Sequence, residues 1–164
     1  MDNKDFKPYV SSDTVIPELT PTAIIIGALL AALFGAANAY LGLRVGMTVS
    51  ASIPAAVVSM GIMRKILCRN SILENNMVQT IASAGESLAA GAIFTMPVLF
   101  MWADESLTEP PGFLEICLVS LCGGLLGVFL MVPLRRALIV KEHGILTYPE
   151  GTACAKVLAA GEKS

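Results

Sequence analysis

Residues 74 to 102 read ENNMVQTIASAGESLAAGAIFTMPVLFMW. The stretch opens on carboxylates and amides and closes as nearly pure hydrocarbon. A soluble helix would distribute such residues around its circumference, and a plain membrane anchor would exclude the polar ones. Helical spacing resolves part of the conflict. Gln79, Ser83 and Glu86 recur at i, i+4, i+7 and form one polar stripe, with Asn75 and Asn76 at its mouth. A helix beginning near Met77 carries Glu86 roughly 14 Å along its axis. A charge at that depth in a membrane is costly unless it is paired, hydrated or protonated. Two readings of Glu86 stand. It is an interfacial residue, with residues 74 to 85 forming a loop or re-entrant entry, or it is the titratable centre of a solvated face that handles a hydrophilic solute or a proton.

Composition sets the class. Hydrophobic residues make up 55% of the 164 and charged residues 15%, against about 25% charged in a soluble domain. Mean hydropathy is +0.71. The net charge of -2 carries no basic block, which argues against nucleic acid as a partner. Charges gather at the N-terminus, around 64–74, around 104–115 and after Arg135, with long apolar runs between. This layout predicts an all-α, polytopic transmembrane helical bundle in a lipid bilayer.

About four spans can be drawn. They cover 22–43, 45–63 with Pro54 at its middle, 77–102 with Glu86 inside, and 116–134 before Arg135-Arg136. Residues 1–20 are polar and proline-punctuated, without the apolar core of a signal peptide, and read as a retained tail. Residues 149–161 open a further helix, with Pro149 in the first turn and Gly161 at the C-terminal end. Orientation follows from Lys and Arg. Lys4 and Lys7, then Arg64, Lys65 and Arg69, then Arg135, Arg136 and Lys141 all fall on one side if both ends are cytoplasmic. The loop ADESLTEPPG carries acids alone. Arg44, at a tight hairpin between the first two spans, is the exception.

No catalytic or cofactor constellation emerges. Cys68, Cys117, Cys122 and Cys154 have no CxxC spacing, His143 is the single histidine, and the eight methionines are scattered. Enzyme, metal-site and cofactor readings therefore find no residues to rest on. Small residues line the helix faces instead: Ala28, Ala32 and Ala36; Ala31, Gly35 and Ala39; and the GxxxG of Gly123 and Gly127. Such faces let helices approach closely in lipid, and their number implies more neighbours than four spans supply.

A second polar spot lies in the first hairpin. Asn38 and Tyr40 fall late in the first span, and Thr48, Ser50 and Ser52 early in the second. Pro54 would free a carbonyl near Ser50, leaving a harmless kink padded by hydroxyls or a broken helix of the kind that lines transporter solute paths.

Three ordered blocks are familiar: NAYLGLRVGMTVSASIPAAVVSMGI, RNSILENNMVQTIASAGESLAAGAIFTMP and VPLRRALIVKEHGILTYPEGTACAKVLAAGE. They resemble the N-terminal part of the oligopeptide transporter (OPT) family, prokaryotic branch, from about Thr20 onward. The resemblance implies proton-coupled secondary transport of oligopeptides or related metal chelates across the cell membrane. It also implies a many-helix domain several times longer, so the chain reads as an N-terminal fragment whose partners are the remaining helices. Asn38, Tyr40, Ser50, Pro54, Asn75, Gln79, Ser83 and Glu86 are the expected substrate and proton pathway. The alternative is a small four-helix membrane protein that serves as a subunit or assembly partner.

Overall fold

A computed structural model describes residues 9–11, 13–65, 67–69, 71–106, 109–142 and 145–163. Lys4 and Lys7 of the tail and the single His143 lie outside the described residues. The chain is an all-helical membrane bundle. Among the described residues, three helical stretches are long and apolar enough to cross a bilayer: Pro21–Val45, Ile72–Asp104 and Phe113–Lys141.

Helix α1 (Pro21–Val45) begins where the Thr20 hydroxyl accepts the Ala23 N–H at 3.2 Å, with Pro21 in the first turn, where no donor is needed. It ends at Gly46, whose φ of 73° suits glycine and turns its N–H back onto the Gly42 carbonyl at 2.9 Å.

The next helix differs from the expected span over 45–63. Residues 47–51 are not helical, and α2 (Ser52–Lys65) has only 14 residues, about 21 Å of axis. Pro54 is therefore its third residue and not a mid-span kink. The missing donor falls in the first turn, where no carbonyl awaits it, so no carbonyl is freed. The chain can leave the helix here because its backbone finds other partners: Val49 N–H donates to the Asn38 side chain and Ala51 N–H to Glu86.

Helix α3 (Ile72–Asp104) runs parallel to α1, with partners 54 positions apart. The Thr20 hydroxyl donates to Glu74 at 2.7 Å, and the Ser71 hydroxyl donates to the Pro17 carbonyl at 2.8 Å. Farther along, Gly27 faces Ile81 and Ala31 faces Gly85. A Cβ on Gly85 would stand 2.6 Å from the Ala31 Cβ, so this crossing needs small residues on both helices, of which Ala31 belongs to a small face read from the sequence.

Helix α2 descends antiparallel along α3. Ser52 meets Ser83 at 2.9 Å, and Ser59 meets Asn75 at 3.3 Å toward the start of α3. These elements share one compact unit, Ile16–Met101, with Pro149 onward. The latter stretch is α5 (Pro149–Lys163), parallel to α2. Glu150 bonds Ser50 at one end, and the Arg64 guanidinium bonds the Gly161 carbonyl at the other. Cys154 and Leu158 are its buried residues.

The other unit, Met1–Val15 with Trp102–Tyr148, contains α4 (Phe113–Arg135), which continues into a π-helical turn, Arg136–Lys141. Glu115 accepts the Gly112 N–H at 3.0 Å at its start. No residue of α4 is buried, and a Cβ on Gly123 or Gly127 would meet nothing within 4 Å. A helix apolar all round is suited to lipid or to further helices on every side.

Candidate functional site

Helix α3 is continuous through residues 74 to 85, which excludes a loop or re-entrant entry there. Because it starts at Ile72 rather than near Met77, Glu86 lies about 21 Å along an axis of about 50 Å, deeper than the sequence implied. The side chain is 7% exposed. One carboxylate oxygen accepts the Ala51 N–H at 2.7 Å, directly before the first residue of α2. The carboxyl group thus sits at the positive end of a helix dipole.

Hydroxyls surround this contact. Ser52 and Ser83 are 2.9 Å apart, and Ser50 lies 3.3 Å from Ser52 while donating to the Glu150 carboxylate. Glu150 occupies the first turn of α5. Two short helices therefore begin at one place, and each start has a carboxylate beside it. That place is midway along α3, a helix long and apolar enough to cross a bilayer, so the starts of α2 and α5 lie well inside its length.

Asn38 closes the arrangement from α1. It is 4% exposed, and its Oδ1 accepts the Val49 N–H at 3.0 Å. That bond fixes the amide orientation. Its Nδ2 is buried and has no partner among the described residues. A buried donor left unsatisfied costs about 1–3 kcal/mol.

Of the sequence candidates, Asn38, Ser50, Ser83 and Glu86 meet at residues 49–52, and Pro54 sits exposed one turn beyond. Tyr40 does not join them. It is 63% exposed, with the Arg44 guanidinium 5.9 Å from its ring centre. Asn75 and Gln79 share the α3 face but form a separate buried layer, in which the Ser59 hydroxyl reaches Asn75. Asn75, 3% exposed, is not a solvated mouth.

Glu74 is buried, against its local sequence context. Its sequence position beside Arg69 implies an ordinary interfacial charge, yet its side chain is 1% exposed, paired with Arg69 at 3.2 Å and bonded by Thr20. The cause is long-range: residues 17–20 fold over the start of α3. Glu150 was missed as a site residue because its partner Ser50 lies 100 positions away and nothing local signals the contact. No group of three or more His, Cys, Asp or Glu among the described residues could hold a metal ion.

Residues 18–164 match the family model described as OPT oligopeptide transporter protein. A Haemophilus influenzae protein named "Putative oligopeptide transporter" is 47% identical over 125 residues, covering 74% of this chain and 18% of its own length. A similarly named Saccharomyces cerevisiae protein is 30% identical over 160 residues, covering 88% of this chain and 22% of its own. The chain thus spans about a fifth of the length of these curated relatives. No solved structure matches it significantly.

Proposed function

Because this chain belongs to the OPT oligopeptide transporter family, we propose that it forms part of a secondary active transporter. It moves oligopeptides or peptide-like metal chelates across the cell membrane in symport with protons. The observation that carries this reading is the buried Glu86 carboxylate at the start of α2, midway along a spanning helix. A membrane protein maintains such a group at a cost, and its place beside hydroxyls and backbone donors suits it to exchange a proton as a solute binds. The relatives support the class, since they are named as transporters and not as enzymes.

The basic residues orient it. Arg64, Lys65 and Arg69 lie on the side where α1 and α3 begin, and the tail and that loop are cytoplasmic. The direct test is uptake into proteoliposomes of the full-length transporter, with labelled peptides and metal chelates under an imposed pH gradient. Uptake of at least one class that rises with an inward proton gradient is expected. Uptake indifferent to the gradient removes symport, and no uptake of either class removes the substrate reading.

A further inference from the structure

Two features of the node call for an acceptor oxygen. The first is the start of α2, where Ala51 N–H is held by Glu86 at 2.7 Å, Ser52 N–H reaches the Ser50 hydroxyl at 3.5 Å, and the Ile53 N–H of the first turn has no carbonyl within the helix. The second is independent: Asn38 Nδ2, on a side chain 4% exposed, is a donor with no partner among the described residues. Its own carbonyl oxygen is bonded to Val49, two residues ahead of Ala51 on the same non-helical segment. Asn38 and Glu86 thus both bond the non-helical segment that leads into α2, at Val49 and Ala51.

We propose that the start of α2 binds the C-terminal carboxylate of an oligopeptide and that Glu86 occupies this place when no peptide is bound. The inference rests on the peptide-transport reading. The exchange balances: Glu86 takes up one proton, becomes neutral and gives up the Ala51 N–H, and the peptide carboxylate takes its place with one negative charge. Asn38 Nδ2 donates to a backbone carbonyl of the same ligand once the 47–51 segment shifts to admit it.

The groups facing Glu86 fit this exchange. From the α2 side come the Ala51 amide and the hydroxyls of Ser50 and Ser52; from its own helix, Ser83; from α5, the Glu150 carboxylate through Ser50. Helix α1 brings the neutral Asn38 and has no charged residue before Arg44. Among the described residues no cation is bonded to the node, so the helix start and proton uptake carry the recognition.

The test uses the full-length transporter in proteoliposomes with tri-alanine and tri-alanine amide as probes. Tri-alanine should compete for uptake better than its amide by on the order of tenfold, as expected for a hydrogen bond to a charged group. Its apparent affinity should improve as pH falls. In Glu86→Gln that improvement should vanish while the carboxylate preference remains. Asn38→Leu should weaken both probes alike, and Asn38→Asp, which places an anion at the same point, should weaken tri-alanine more than the amide.

Equal competition by tri-alanine and its amide overturns the inference while leaving peptide transport intact. Failure of the wild-type protein to take up any peptide overturns both. Should Asn38→Leu fail to assemble, the amide comparison in wild type decides alone.

Discussion

The Glu86 carboxylate, about 21 Å into α3, accepts the backbone N–H of Ala51 at 2.7 Å, where the chain enters α2. A side chain from one spanning helix thus terminates the non-helical part of another segment.

Glu86→Gln keeps a carbonyl oxygen for Ala51 and removes the proton-binding group. Expression and thermal stability in detergent should stay close to wild type, and the dependence of uptake on the pH gradient should weaken. Glu86→Ala leaves a buried N–H without its acceptor and should destabilise by about 1–3 kcal/mol. Wild-type pH dependence in the Gln variant means that the proton travels elsewhere.

Glu74 should prove to be a structural anchor. It joins Arg69 and Thr20, while Ser71, one turn earlier, holds the Pro17 carbonyl. Glu74→Ala should lower stability by about 1–3 kcal/mol, with Arg69 discounted because its side chain is 39% exposed. Thr20→Val should cost less, and the double variant less than the sum of the two, because they remove one shared bond. Additive losses in a thermal-unfolding series argue against this coupling.

The α1–α3 crossing should tolerate no side chain at Gly85. A Cβ there lies 2.6 Å from the Ala31 Cβ and 2.8 Å from the Ala31 carbonyl oxygen, so Gly85→Ala forces the helices apart at about 1–3 kcal/mol. Gly91 has nothing within 4 Å of the same added atom, and Gly91→Ala should be near neutral. Equal yields of folded protein from the two variants contradict the close approach.

Orientation is open to chemical labelling on a cysteine-free background. A cysteine at Ser106, in the acidic loop, should react with an impermeant reagent outside intact cells, while one at Asn70 should react only after the membrane is opened. The reverse pattern inverts the topology.

The sequence alone determined the class of this protein and most of its helices, because those signals are local. Uncharged runs such as 22–43 have to be helical where they cross a membrane, since hydrocarbon offers no partner for free backbone groups. The ends of α1, at Thr20, Pro21 and Gly46, lie slightly outside the 22–43 read from the uncharged run, and they too are set by local chemistry. The polar stripe of Gln79, Ser83 and Glu86 was legible from helical spacing. Tertiary structure decided what local signals cannot carry. The break at 47–51 depends on Asn38 and Glu86 reaching in from two other helices to replace lost helical bonds. Burial of Glu74 depends on residues 17–20, and the place of Glu150 on a serine 100 positions away. A backbone group or carboxylate takes its meaning from its partner, and only the packing of distant segments supplies that partner.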